Sequence, residues 1–315
     1  MTWLRRSSPT VAVVGAVVAV VLAATVVLTR GDDGEISAAA ASAAASSRVV
    51  GPDRYTGPQG QVGQFVVQCL YSHSAADDPI VHRGHTGRSH RHDFYGATRV
   101  RADSTPAQLR RQPTTCDKKV DTAAYWHPTL YDHNVAVRPR SLEAYYRAAP
   151  GVNRAEVRPF PLGLAMIAGD SHATGRQRGE SAGWVCGSRP DLHASPPECP
   201  GTAPLHLVLT FADCWDGAHV DSPDHRTHVA YSARGRCPGT HPVHVPQLSV
   251  SVTFPITGPG HDLALSSGPV YSAHGDFLNA WDPAGLAREV AQCIGRDAVC
   301  DLASNRQESP LFQTR

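Results

Sequence analysis

Leu248-Ser249-Val250-Ser251-Val252-Thr253-Phe254 decides the fold class of this chain. Apolar and small polar residues alternate with a period of two, which places one set of side chains on each face of a β-strand and leaves no helical stripe. The reading extends back to Val243. Outward from it, Gln64-Phe65-Val66-Val67-Gln68-Cys69, Phe160 to Gly169 and Leu205-His206-Leu207-Val208-Leu209-Thr210-Phe211 are short apolar runs bounded by Gly, Pro or Asp. They read as buried strands. Ala284 to Ile294, with Leu286, Val290 and Ile294 at helical spacing, is the best helix candidate outside the N-terminal run. The expected fold is mainly β, a β-sandwich or jelly-roll-like domain with a few short helices. No internal repeat is evident.

Composition agrees. The 315 residues include 27 Gly and 25 Pro, and only 18% are charged, so many turns should join short elements. With 29 basic against 28 acidic side chains the net charge is +1, and no basic face for nucleic acid is implied.

Val11 to Leu28 is an unbroken run of apolar, Gly or Thr residues, close to the ~20 needed to cross a bilayer as a helix. Arg5 and Arg6 precede it, while Asp32, Asp33 and Glu35 follow with only Arg30, so the downstream chain should lie outside the cytoplasm. The run reads as an uncleaved anchor in preference to a cleaved secretory signal, although Ala38 to Ala45 offers small residues for cleavage. The expected organisation is a cytoplasmic tail over 1–10, an anchor or signal over 11–29, and an Ala/Ser-rich linker over 30–60. One ectodomain then spans 61–303, with a C-terminal tail over 304–315. The expected location is the cell membrane, single-pass, with secretion after cleavage as the alternative.

All eight cysteines (Cys69, Cys116, Cys186, Cys199, Cys214, Cys237, Cys293 and Cys300) follow the apolar run. An even number on the oxidising side predicts four disulfides. Loop closure favours Cys293 with Cys300 and Cys186 with Cys199.

Seventeen histidines are the compositional outlier. Ser89-His90-Arg91-His92-Asp93-Phe94-Tyr95-Gly96 carries two imidazoles one residue apart, which share a face if the run is a strand. Two later stretches have the same flavour: Asp221 to Tyr231, with Asp224, His225 and His228, and His274-Gly275-Asp276-Phe277 up to Trp281 and Asp282. Neutral imidazole is both the commonest metal ligand and the usual acid or base near neutral pH.

Together with Asp78-Pro79-Ile80-Val81, Tyr125-Trp126-x-Pro128-x-Leu130-Tyr131, Tyr145-Tyr146, Phe160-Pro161-x-Gly163, Cys214-Trp215-Asp216-Gly217 and Cys237-Pro238-x-x-His241-Pro242, these stretches resemble one secreted family. It is the domain-of-unknown-function family numbered nineteen ninety-six, found in fungi and actinobacteria and in places joined to WSC-type carbohydrate-binding modules. The resemblance runs from about residue 64 to Cys293 and implies cell-wall surroundings without an assigned activity. Thr122 stands where many fungal members have Lys, and His82-Arg83-Gly84 where Ser-Pro-Gly is common.

Three chemistries follow from the residues. His90 and His92 with His228, or with His225, His274 or Asp276, can hold a divalent metal and leave one position open. Without metal, His92, His228, His274 and Asp276 can serve as catalytic acids and bases of a polysaccharide hydrolase or lyase. Trp126, Tyr146, Trp215 and Trp281 would then stack on sugar rings of a cell-wall polysaccharide. In the third reading the same residues form buried hydrogen-bond networks in a non-catalytic structural or wall-binding module. Asp93, Asp224 and His225 are expected to support the site or to substitute within it, and His92, His228 and His274 to converge within about 10 Å in one open cleft. No G-x-S-x-G, H-E-x-x-H, P-loop or dinucleotide fingerprint is present. The topology is checked directly: a reporter fused after Arg315 should be active only outside the cytoplasm, and activity confined to the cytoplasm would refute the assignment.

Overall fold

The computed structural model describes residues 63–177, 181–188 and 191–300. The expected anchor over 11–29, linker over 30–60 and tail over 304–315 lie outside them. Among the described residues, no helix is long and apolar enough to cross a membrane.

The first strands are β1 Gln64–Leu70, β2 His73–Ala75, β3 His92–Gly96, β4 Ala124–Pro128, β5 Leu130–Asp132 and β6 Val135–Ala136. They are followed by β7 Ser141–Arg147, β8 Ala165–Gly169, β9 Ala182–Cys186, β10 Leu205–Thr210, β11 Cys214–Trp215 and β12 Val229–Ala230. The last are β13 Val243–His244, β14 Gln247–Thr253, β15 Leu263–Leu265, β16 Gly268–Pro269, β17 His274–Leu278 and β18 Val299–Cys300. The two α-helices among the described residues are short, α1 Pro106–Leu109 and α2 Pro283–Glu289. The domain is therefore mainly β. The helix expected at Ala284 to Ile294 forms as α2 followed by a wider turn over Val290–Ile294, with Leu286, Val290 and Ile294 buried. The strand expected from Phe160 begins only at Ala165, because Pro161 and Gly163 (φ +88°) turn the chain first.

Six strands form one sheet in the order β18-β1-β7-β14-β10-β9, and five form another in the order β2-β3-β4-β17-β8. Period-two alternation accounts for the packing. Leu248, Val250 and Val252 of β14, Leu142, Ala144 and Tyr146 of β7, and Leu205, Leu207 and Leu209 of β10 share one core cluster with Tyr95, Tyr125, Met166 and Phe277 of the five-stranded sheet. The opposite face of that second sheet carries Phe94, Trp126, Ala165 and Leu278, which pack beneath Ile80, Val100 and Leu109 in a smaller apolar cluster. The segment between β2 and β4 thus covers part of the outer face.

Four disulfides join Cys69–Cys116, Cys186–Cys199, Cys214–Cys237 and Cys293–Cys300, and no cysteine is free. Both pairings favoured by loop closure are present.

One glycine fixes how closely the sheets approach. A Cβ on Gly275 of β17 would lie 2.3 Å from Leu209 Cδ1 on β10 and 3.2 Å from the Trp126 carbonyl oxygen. Gly275→Ala should therefore lower stability by about 1–3 kcal/mol through overpacking. Adding Leu209→Val, which removes the offending Cδ1, should restore part of the loss. Unchanged thermal unfolding in Gly275→Ala would refute this account of the packing.

Candidate functional site

β3 and β17 both run antiparallel to β4, which lies between them, so they are parallel to each other and begin at the same edge of the sheet. His92 is the first residue of β3 and pairs with Pro128; His274 is the first residue of β17, and its register with β4 carried two places past Asp276↔Trp126 also reaches Pro128. The two histidines thus flank a residue whose short ring leaves room above it. Their strands are about 9.6 Å apart, twice the usual spacing, and the imidazoles lean across this gap to a ring separation of 5.9 Å.

His90 precedes β3 and closes the group from above. Its Nε2 is 3.1 Å from His274 Nε2, and its ring centroid is 4.3 Å from that of His92. One nitrogen from each of His90, His92 and His274 lies within 4.8 Å of the other two. A second set sharing His92, formed with Asp78 and Asp276, meets the same limit. Two residues along β17 and on the same face as His274, Asp276 brings a carboxylate to this group.

Backbone carbonyls orient the rings. His92 Nδ1 is 3.0 Å from the Asp77 carbonyl oxygen, and His274 Nδ1 is 2.8 Å from that of Ser272. A carbonyl only accepts, so both Nδ1 atoms carry the proton and both Nε2 atoms present a lone pair. His92 Nε2 and both Asp276 carboxylate oxygens are buried with no protein partner. Above them opens a cleft of about 600 Å³ lined by Asp78, His82, His90, Asp170, His172, Arg226, His274 and Asp276 among others.

The sequence profile described as "Domain of unknown function (DUF1996)" matches residues 78–281. The chain belongs to the DUF1996 family. No curated protein and no solved structure matches it. The DUF1996 match begins at Asp78 in the cleft wall and ends at Trp281 in the core, so it encloses every residue of the histidine cluster.

The site of this DUF1996 domain differs in several places from the expectation. His228 does not join the cluster: its Nε2 is 2.6 Å from the Ala165 carbonyl oxygen and its Nδ1 2.9 Å from Ser222 Oγ, so both nitrogens are occupied in tying the 221–231 segment to β8. Of the third members that the sequence offered, His225, His228, His274 and Asp276, it is His274 that meets both His90 and His92. Nor is the cluster open to solvent as a whole, since His92 is 0% and His274 4% exposed. His90 is the more accessible member.

The aromatic wall is also absent. Trp126, Tyr146 and Trp281 are all buried at 1% exposure or less. Tyr125 donates to Asp121 Oδ2 at 2.7 Å and bonds Tyr146 Oη, which in turn accepts from Trp281 Nε1 at 3.1 Å, so this group is an internal polar network. Trp215 is half-buried and donates to the His219 carbonyl oxygen. Asp93 points to the opposite face, where its Oδ1 accepts from Ser74 Oγ and Thr129 Oγ1. Asp224 and His225 do line the cleft. Asp224 is used by its own turn, accepting from Ser222 Oγ, the Arg226 and Thr227 amides and Thr227 Oγ1, and His225 Nδ1 is 2.9 Å from Asp221 Oδ1.

The cleft is also lined by Asp78, Asp170, His172 and Arg226, which the sequence does not mark as site residues. Arg226 lies within the Asp221 to Tyr231 stretch but has no pattern of its own, and Asp170 and His172 lie in the loop between β8 and β9 with no signal at all.

Burial sets the electrostatics. It pushes His90 down to about 4 and His274 to about 3, and holds His92 well below the ordinary imidazole range, with neighbouring imidazoles acting in the same direction. Burial raises Asp78, and Asp276 well above the carboxylate range. The imidazoles are neutral at neutral pH, the form that ligates metals. Between about 6.5 and these lowered values the unfolded chain binds protons that the folded chain refuses, so the stability due to His90 and His274 is complete above about 6.5 and lost as pH falls towards 3. Asp276 acts oppositely, since the folded chain keeps a proton that the unfolded chain releases above 3.8. In chelator-treated protein, Asp276→Asn should therefore raise the melting temperature near pH 7 and change it little near pH 4. A lower melting temperature at pH 7 would mean that the carboxylate has a stabilising partner.

Proposed function

We propose that this domain is an extracytoplasmic, metal-dependent enzyme acting on cell-wall polysaccharide, with a divalent first-row transition metal held by His90, His92 and His274. The observation that carries the reading is the pair of unpartnered groups on the cleft floor: the bare Nε2 of His92 and the Asp276 carboxylate, both fully enclosed. Leaving a buried polar atom unsatisfied costs about 1–3 kcal/mol, and more for a charged group, so two such groups side by side call for a ligand that supplies charge. A cation answers both at once.

The donor set fits. Three neutral imidazoles suit zinc and its neighbours, and Nδ1–H bonds to carbonyls are how metal-bound histidines are usually oriented. Three protein nitrogens leave a fourth position towards the cleft. When bound, such a metal supplies Lewis acidity and an activated water. This chain's own residues then divide the remaining work. The Asp77 and Ser272 carbonyls hold two rings, Asp276 balances charge and can exchange a proton with the cleft, and the walls from residues 78–82, 170–172 and 224–226 admit the substrate.

Placement outside the cell is supported by four disulfides without a free cysteine, the pattern of an oxidising compartment, and by the apolar run that follows Arg5 and Arg6. Action on polysaccharide is supported by the size of the cleft and its polar lining. A non-catalytic wall-binding module is the weaker reading, because it leaves the bare His92 Nε2 and Asp276 carboxylate without a role.

Elemental analysis of the purified chain should find about one equivalent of transition metal. Removing groups that merely orient ligands costs about 10- to 100-fold in metal affinity, so His92→Ala or His274→Ala should cost more than ~100-fold. His228→Ala should lose about 1–3 kcal/mol of stability while keeping the metal. Metal lost on His228→Ala but retained on His274→Ala would overturn the ligand assignment, and no metal bound at micromolar concentration would overturn the reading.

A further inference from the structure

Arg226 stands at the junction of two cavities. It lines the 600 Å³ cleft above the histidines, and together with Asp170 it also lines a neighbouring cavity of about 480 Å³. Gly169, Thr174, Arg176, Ser181 and Tyr231 contribute to that second cavity. Two chambers with common walls suit a ligand longer than one sugar unit.

Arg226 has a single side-chain bond at that junction among the described residues. Arg226 Nη2 donates to the Gly169 carbonyl oxygen at 2.8 Å, and among the described residues no carboxylate pairs with its guanidinium. Two of the carboxylates that line the cavities make bonds within their own turns. Asp224 is consumed by four bonds within its own turn, and Asp170 Oδ1 accepts from the His172 amide. Arg226 is also close enough to Asp276 and His274 for its charge to act on both, though burial dominates there. The Gly169 bond fixes one edge of the guanidinium and leaves donors free for an oxyanion, two of whose oxygens the arginine fork binds through parallel bonds.

The second chamber adds a platform. Tyr231 is 45% exposed, and its hydroxyl donates to the Thr210 carbonyl oxygen at 2.8 Å, which holds the ring in place. A fixed, half-open aromatic ring with hydroxyl-bearing neighbours Thr174 and Ser181 is suited to a sugar ring.

We infer that the substrate is an oligosaccharide chain bearing an anionic substituent, with the charged group on Arg226 and adjoining sugar units running from the metal cleft into the chamber lined by Tyr231. This rests on the polysaccharide reading above and specifies its substrate class. The anionic group can be a carboxylate, as in a uronic acid, or a sulfate.

The test is calorimetric titration of the full chain with three oligosaccharides of matched length: a uronic-acid oligomer, a sulfated oligomer and a neutral glucan. At least one charged oligomer should bind ten times or more tighter than the neutral one, and which of the two does so identifies the group. Arg226→Gln should weaken that binding by about 10- to 100-fold, the loss of a charge-assisted pair, while metal content and melting temperature stay as in the unsubstituted chain. Arg226→Lys keeps the charge without the fork and should recover part of the affinity. Tyr231→Ala should weaken charged and neutral oligomers alike. Equal affinity for charged and neutral oligomers, or an unchanged preference in Arg226→Gln, would overturn the inference. A chain that binds metal but prefers no charged oligomer defeats this inference alone. A chain that prefers them without binding metal supports it and defeats only the metal assignment.

Discussion

Alternation along β17 is the constraint on which the rest of the site depends. Phe277 enters the core between the sheets and Gly275 yields its place there to Leu209, so His274, Asp276 and Leu278 must face the other way. The same pleat operates on β3, where Tyr95 and Asp93 turn inward and His92 and Phe94 outward. Because β4 separates these two strands and presents Pro128 at the relevant position, the imidazoles meet above it. A one-residue slip of either strand would exchange core and site together.

The cluster is costly to bury, and the structure offsets only part of that cost. Two carbonyls satisfy one nitrogen each on His92 and His274, but His92 Nε2 and Asp276 remain without protein partners. The Asp121–Tyr125–Tyr146–Trp281 group shows how the same fold treats a polar cluster that is purely internal: its members bond one another. His228 follows that pattern, with both nitrogens satisfied. Buried carboxylates elsewhere, such as Asp93, Asp117 and Asp213, leave one oxygen bare but bond through the other, whereas Asp276 bonds through neither, and that difference marks the cleft floor.

The cleft walls come from segments without regular structure. Residues 78–82, 170–172 and 224–226 are turns and loops, held by short Asp-capped bonds such as those from the Ile80 and Val81 amides to Asp78 Oδ1 and those around Asp224. The Cys214–Cys237 disulfide brackets the segment that carries Asp224 and Arg226. Rigid strands therefore hold the histidines, while loops shape what can reach them.

The sequence by itself determined the mainly β character, the four disulfides and two of their pairings, the family, and His90, His92, His274 and Asp276 as candidate members of two His-rich motifs. Period-two alternation, cysteine parity and short-loop closure are local properties, and they survive without knowledge of the partner strands. Only the tertiary structure decided that His274 and not His228 meets His90 and His92, that Trp126, Tyr146 and Trp281 face the core, and that Arg226 joins two cavities. Strand order set the first, because His92 and His274 become neighbours through β4, which lies between them in space but not in any sequence pattern. Burial set the second: an aromatic residue in a strand reads the same whether its face meets solvent or a second sheet, and the choice is made by packing between elements far apart in the chain.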